Sequence, residues 1–166
     1  MTLLFDFDQV LVDTVRISGL RTARDWATYR RELAQLRPVD GISELLTLSK
    51  ARGHKLAIVT QSPGFAPTLF ARKENWPIDA IVGWHDYRRR KPDPKCLLVA
   101  LRKLQATPAE SYHIGDLPAD TEAARRAGIG AIAAAWAAPD KAALRASRPD
   151  HFFETVEELS EFIADL

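Results

Sequence analysis

The chain has 166 residues, a formal net charge of +1 and 46% hydrophobic residues, as expected of one well-packed globular domain. The near-neutral charge argues against a general nucleic-acid binder, which is usually strongly basic, and one cysteine excludes an internal disulfide. No apolar run is long enough to span a membrane and no signal peptide is visible, so we expect a cytoplasmic protein.

Short apolar runs alternate with longer amphipathic stretches along the chain. This alternation predicts an α/β, three-layer Rossmann-like fold, with a mostly parallel sheet and helices on both faces. The runs predict strands at 2–7, 55–60, 80–84, 111–115 and 130–134, with a weaker strand at 151–153. The amphipathic stretches predict helices at 41–52, 64–74, 94–105, 118–127, 141–147 and 156–165.

Residues at the predicted helix ends support these assignments. Asp40 is expected to cap the helix that follows it. Gly53 and Gly128 stand where a helix ends in the left-handed conformation, and Pro118 suits a first helical position. The arginine-rich segment 13–40 has apolar residues at roughly helical spacing, which predicts one helix or a bent pair.

Polar side chains follow most of the predicted strands. Open parallel sheets bind ligands outside the carboxyl ends of their strands, so these side chains are expected to meet at one edge. They are Asp6 and Asp8 after the first strand, Thr60 at the end of the second, Lys91 after the third, and Asp116 and Asp120 after the fourth.

Clustered carboxylates repel one another unless a cation neutralises them, and oxygen ligands of this kind suit Mg²⁺. In this interpretation Asp6 is a nucleophile that forms an aspartyl-phosphate, and Asp8 protonates the leaving oxygen and then activates water. Thr60 and backbone N–H groups hold the phosphoryl oxygens, and Lys91 offsets negative charge.

Each of these residues has a simpler explanation when it is taken alone. A strand-end aspartate is usually a turn residue, and a threonine such as Thr60 is often a β-branched strand residue. Asp120 in the first turn of a helix complements the helix dipole without any catalytic role. The catalytic interpretation therefore depends on the whole set, which occurs in order with each member at its own strand end.

In that order the residues resemble the haloacid dehalogenase-like (HAD) hydrolase superfamily. The matching motifs are FDFDQVLVDT (5–14), AIVTQS (57–62), RRRKPDP (88–94) and HIGDLPADTEAARRAG (113–128), and together they cover nearly the whole chain. The resemblance implies a HAD-like fold and a phosphatase, because the related dehalogenases lack the second aspartate, here Asp8. This chain has Gln9 and Gln61 where many members of that superfamily have Gly and Asn.

The resemblance also implies a role for each motif residue. Asp6 is the nucleophile and Asp8 the acid and base, and Mg²⁺ is bound by Asp6, Asp116 and the backbone carbonyl of Asp8. Asp120 supports the metal ligands from behind. Thr60, Gln61 and Lys91 bind the phosphate.

Residues 1–166 are expected to form a single HAD-like domain, in which the segment at about 13–40 replaces the usual multi-helix cap. This reduced cap of about 25 residues is too short to enclose the site, which is therefore expected to be open on one side. An open site would admit a large phosphorylated substrate, such as an oligonucleotide end, a phosphoprotein or a polyanionic metabolite. Alternatively, a partner subunit would cover it. The candidate rim charges, which equally fit a solvated face, are Arg16, Arg21, Arg24, Arg30, Arg31 and Arg88–Arg90.

The sequence leaves two alternatives to a phosphatase. One is a phosphotransferase that passes the phosphoryl group to an acceptor other than water. The other is a non-catalytic interaction module, either HAD-like or similar to receiver domains. Receiver domains also cluster aspartates, a threonine and a lysine at a sheet edge, but their phosphorylated aspartate follows the third strand, whereas Asp6 follows the first.

Overall fold

The computed structural model describes residues 1–166 and contains one six-stranded sheet, in which every pair of neighbouring strands is parallel. The strands are β1 (Thr2–Phe5), β2 (Lys55–Val59), β3 (Ala80–Val82), β4 (Ser111–Gly115), β5 (Gly130–Ala134) and β6 (His151–Phe153). Their order in the sheet is β3-β2-β1-β4-β5-β6. The predicted mostly parallel α/β sheet is confirmed, with β1 at the centre between β2 and β4.

Eight α-helices surround this sheet. Leu3 and Phe5 of β1 belong to one hydrophobic cluster and Leu4 to another, because alternate residues of a strand point to opposite faces. Helices therefore cover both faces, as predicted, and none of them has the length and apolarity of a membrane-spanning helix. They are α1 (Ser18–Thr22), α2 (Trp26–Gln35), α3 (Ile42–Ala51), α4 (Phe65–Lys73), α5 (Lys95–Leu104), α6 (Pro118–Ala127), α7 (Lys141–Ala146) and α8 (Val156–Ala164).

The strand order does not fit a receiver-like fold. Receiver domains share the flavodoxin-like order, in which β1 lies between β2 and β3. In this chain β1 lies between β2 and β4, and the order matches the dinucleotide-binding type of Rossmann fold. The receiver-like alternative therefore requires a topology that this chain does not have.

The helix ends agree with the predictions except at Asp40. Gly53 and Gly128 have φ angles of +82° and +71°, and Pro118 begins α6. The N-cap of α3 is Gly41, whose φ of 82° is left-handed, and no side chain caps that helix. The prediction for Asp40 was wrong because the left-handed turn places it one position before the cap, where it is exposed.

The segment between β1 and α3 contains two helices, as the bent-pair prediction allowed. The chain breaks between α1 and α2 at Arg24, whose φ is 59°, and Asp25 then caps α2 by accepting a hydrogen bond from the Thr28 N–H at 3.1 Å. An aromatic cluster joins α2 to α4, where the ring of Tyr29 lies 5.9 Å from that of Phe65. The segment is thus fixed to the domain beside the carboxyl end of β2.

Candidate active site

The carboxyl ends of three neighbouring strands bring most of the predicted residues together. Asp6 directly follows β1, Thr60 follows β2 and Asp116 follows β4. All three are buried, with exposed fractions of 7%, 0% and 4%. The parallel sheet produces this arrangement, because it gathers side chains that are more than 50 residues apart in the sequence at one edge.

The buried ammonium group of Lys91 has three oxygen acceptors at the carboxyl ends of the strands. Its ammonium nitrogen lies 3.0 Å from Asp6 Oδ2, 2.8 Å from Asp120 Oδ1 and 3.2 Å from the Val59 carbonyl oxygen. A lysine ammonium has three donors, so the three contacts satisfy it. Burial alone would lower the pKa of Lys91, but Asp120 and Asp6 outweigh that effect and raise the pKa, so the side chain stays charged.

Three buried carboxylates crowd around this single lysine. Oxygens of Asp6, Asp116 and Asp120 all lie within 4.8 Å of one another. Burial raises the pKa of Asp6, and it raises the pKa of Asp116 to about 8, helped by the negative charges of Asp6 and Asp120. When all three acids are ionised the cluster has more negative charge than Lys91 neutralises, and its ligand atoms are all oxygens. Both properties fit a divalent cation such as Mg²⁺.

Asp120 is the most restrained acid of the cluster. Its Oδ2 accepts a hydrogen bond from the Leu117 N–H at 3.0 Å, and its Oδ1 lies 3.3 Å from His113 Nε2 as well as close to Lys91. Burial would raise the pKa of Asp120, but Lys91 and His113 lower it well below its usual range. These contacts suit a residue that orients Lys91. The sequence did not single out His113, because nothing local indicates that its ring faces Asp120.

Asp8 lies among hydroxyl groups and has different neighbours from Asp6. Its Oδ1 accepts a hydrogen bond from Thr14 Oγ1 at 2.7 Å. Its Oδ2 accepts from Ser62 Oγ at 2.6 Å and from Thr60 Oγ1 at 3.1 Å. Thr60 Oγ1 in turn accepts from the Ser62 N–H at 2.9 Å. The two acids that follow β1 therefore occupy distinct environments, one beside a lysine and two carboxylates, the other in a cradle of hydroxyls.

Two residues at this site, Ser62 and Arg21, are not among the predicted catalytic or phosphate-binding residues. Ser62 belongs to a quoted motif, yet the sequence does not indicate its contact with Asp8. The sequence suggests Arg21 only as a rim charge, whereas its Nη1 lies 3.4 Å from Asp8 Oδ2.

Gln61 is predicted to bind phosphate. It lies between Thr60 and Ser62 and is half-buried, and its phosphate-binding role stays a prediction.

Most of the other candidate rim arginines are exposed and already have neighbours. Arg30 stacks on Phe65 and Arg90 stacks on Trp84, each with its guanidinium carbon 4.0 Å from the ring centre. Arg31 pairs with Glu32 at 3.3 Å, and Arg89 lies 3.8 Å from Asp93. These contacts fit solvated surface side chains at least as well as a surface that attracts a large anion.

The sequence is similar to known proteins along most of its length. The family described as haloacid dehalogenase-like hydrolase matches residues 20–134. A protein from Caldanaerobacter subterraneus subsp. tengcongensis that carries the name pyrophosphatase PpaX is 30% identical over 87% of this chain and 66% of its own length. Phosphoglycolate phosphatase from Xylella fastidiosa is 30% identical over 60% of this chain and 44% of its own length. The chain thus spans about half to two thirds of these curated relatives.

The fold is also similar to solved structures. A hydrolase from Pseudomonas syringae superposes with a TM-score of 0.83 at 21% identity, covering 99% of this chain and 98% of that one. CbbY from Rhodobacter sphaeroides, solved in complex with phosphate, superposes with a TM-score of 0.79 at 19% identity, covering 99% of each chain. At these identities the likeness concerns the fold.

Proposed function

Since this chain belongs to the haloacid dehalogenase-like hydrolase family, we propose that it is a Mg²⁺-dependent phosphatase that hydrolyses a phosphate monoester through an aspartyl-phosphate on Asp6. One observation carries the proposal: a buried carboxylate and a separate, hydroxyl-bound carboxylate follow the same central strand. This is the pair that covalent phosphoryl transfer needs, one acid as nucleophile and one as proton carrier.

In the first step Asp6 attacks the phosphorus atom, and the bond from phosphorus to the leaving oxygen breaks. Asp8, which must be protonated at the start of the cycle, donates its proton to that oxygen, so the product leaves as a neutral alcohol group. Lys91, 3.0 Å from Asp6 Oδ2, offsets the negative charge that gathers where the carboxylate meets the phosphoryl group.

In the second step a water molecule attacks the phosphorus of the aspartyl-phosphate and gives its proton to Asp8. The bond between phosphorus and the Asp6 oxygen breaks, phosphate leaves, and both acids return to their starting states. The hydroxyls of Thr14, Thr60 and Ser62 hold the Asp8 carboxylate in place for both proton transfers.

Asp6, Asp116 and the backbone carbonyl of Asp8 are the proposed ligands of the metal ion, and Asp120 supports them through Lys91. Mg²⁺ bound there supplies positive charge that neutralises the phosphoryl oxygens and relieves the repulsion among the buried acids. The segment at 13–40 takes the place of a cap in this proposal, and the enzyme acts in the cytoplasm.

Small phosphorylated molecules are the first substrates to test. The relatives named pyrophosphatase and phosphoglycolate phosphatase support this choice. A larger phosphorylated substrate and a covering partner subunit stay predictions from the sequence. An oligonucleotide end or a phosphopeptide therefore belongs in the same panel of compounds.

The test is phosphate release from p-nitrophenyl phosphate and from that panel, with and without Mg²⁺. We expect Mg²⁺-dependent release of phosphate, with a preference for at least one small compound. Transfer of the phosphoryl group to an added alcohol, with little free phosphate, would indicate a phosphotransferase instead. No turnover of any compound in Mg²⁺ would contradict the proposal and favour a non-catalytic module.

A further inference from the structure

Two side chains from the segment between β1 and α3 reach the catalytic edge at Asp8. Arg21, near the end of α1, places Nη1 3.4 Å from Asp8 Oδ2, and the same nitrogen donates a hydrogen bond to Ser62 Oγ. Its side chain is 35% exposed, so it lies at the boundary between the site and solvent. Tyr29 of α2 is only 1% exposed.

The Tyr29 hydroxyl is buried near Ser62 but forms no hydrogen bond of ordinary geometry within the chain. Its ring is held edge-on by Trp26 and Phe65, whose ring centres lie 6.0 and 5.9 Å away. Leaving a buried hydroxyl unpaired costs about 1–3 kcal/mol, so a partner from outside the chain is expected. Burial raises the pKa of Tyr29, with a contribution from the charge of Asp8, so the hydroxyl stays protonated and can donate.

Arg21 has hydrogen-bonding capacity beyond its two contacts. A guanidinium presents five N–H donors, whereas the contacts with Asp8 and Ser62 both use Nη1. Asp8 also accepts hydrogen bonds from the hydroxyls of Thr14, Thr60 and Ser62. Its negative charge is therefore stabilised by several donors and not by Arg21 alone. A half-exposed guanidinium in this position is suited to receive a second anion.

The position of Asp8 determines which part of the substrate these groups would meet. Asp8 is the proposed donor of a proton to the leaving oxygen, so side chains that reach it from the segment between β1 and α3 are expected on the leaving-group side. We infer that Arg21, Tyr29 and Ser62 form a leaving-group subsite that selects phosphate esters whose leaving group carries a second oxyanion. The inference rests on the proposed phosphatase function and names the substrate class within it.

The test compares substrates that differ only in that second charge. Carboxyethyl phosphate carries a carboxylate, carbamoylethyl phosphate is its neutral amide of equal size, and propanediol bisphosphate carries a second phosphate. We expect the protein in Mg²⁺ to prefer each oxyanion substrate over the amide by about 10- to 100-fold in kcat/KM, the range for a charged hydrogen bond. Comparison of carboxyethyl phosphate with propanediol bisphosphate then shows whether the subsite binds a carboxylate or a phosphate better.

Arg21→Gln should reduce this preference to near unity, and Arg21→Lys should keep part of it, because a lysine retains the charge but not the planar fork. Tyr29→Phe should raise KM for the oxyanion substrates by about 3- to 10-fold through loss of one hydrogen bond. It should change the unfolding temperature little, since the hydroxyl forms no hydrogen bond of ordinary geometry within the chain. Arg31→Gln is the matched control, because Arg31 lies on α2 with 68% of its side chain exposed and should leave the preference unchanged.

Equal kcat/KM for the amide and both oxyanion substrates, or a preference that survives Arg21→Gln, would overturn the inference. Hydrolysis of p-nitrophenyl phosphate separates this failure from failure of the proposed function. If that ester is hydrolysed while the preference is missing, only the subsite is wrong. If neither it nor any of the three phosphates is hydrolysed, the phosphatase proposal fails and the subsite with it.

Discussion

Replacing Asp6 with Asn is expected to abolish phosphate release. The amide has nearly the size of the carboxylate but is a poor nucleophile, and phosphate-monoester hydrolysis is extremely slow without catalysis. A loss on the order of 10⁴-fold or more in kcat is expected, as for other nucleophile replacements. The measurement is steady-state release of phosphate in saturating Mg²⁺.

The fold of this variant should be intact. The amide oxygen of the new side chain can still accept the hydrogen bond from the Phe7 N–H that Asp6 Oδ1 accepts at 2.6 Å, and Lys91 keeps Asp120 as a charged partner. Asp165→Asn, which removes an exposed acid at the C-terminal end of α8, is the matched control and should have ordinary activity. Near-normal turnover in Asp6→Asn would show that Asp6 is not the nucleophile.

Removal of divalent ions is expected to have the second largest effect. EDTA should eliminate nearly all activity, and Mg²⁺ should restore it, because Lys91 alone does not neutralise Asp6, Asp116 and Asp120. Ca²⁺ should substitute poorly, since it prefers about 6–8 oxygen ligands at longer distances. Full activity in EDTA would contradict this prediction.

A binding measurement complements the activity assay. Mg²⁺ at about 100 times its Kd should stabilise the folded chain by roughly 2.7 kcal/mol, which raises the unfolding temperature. Asp116→Ala removes a proposed ligand and should shift both the stabilisation and the activation to higher Mg²⁺ concentrations. An unchanged Mg²⁺ requirement in this variant would remove Asp116 from the metal site.

Much of the fold could be predicted because its signals are local. Strands buried on both faces appear as continuous apolar runs, and glycine or proline marks the ends of α3 and α6. Strands β4, β5 and β6 have the predicted bounds, whereas the first three end earlier than predicted: β1 at Phe5, β2 at Val59 and β3 at Val82. In β3 the apolar pattern continues into Trp84, which instead begins a short 3₁₀ turn.

The candidate site was predictable only in part. The residues after strand ends could be grouped, because parallel strands place their carboxyl ends at one edge. The contact of Arg21 with Asp8 and the burial of Tyr29 depend on how α1 packs against α2 and how α2 packs against α4, and no spacing rule encodes that packing. The N-cap of α3 could not be predicted for a similar reason. The left-handed backbone conformation of Gly41 makes Gly41 the N-cap instead of Asp40, and the sequence does not encode that conformation.

A phosphoryl group bound covalently to Asp6 is the intermediate that distinguishes the proposed mechanism. The decisive measurement is an acid quench of the protein during turnover of a phosphate ester in Mg²⁺, followed by mass spectrometry of its peptides. We expect a phosphoryl group on the peptide that contains Asp6, formed before phosphate is released and missing in Asp6→Asn. Steady phosphate release with that peptide unmodified at every quench time would contradict it.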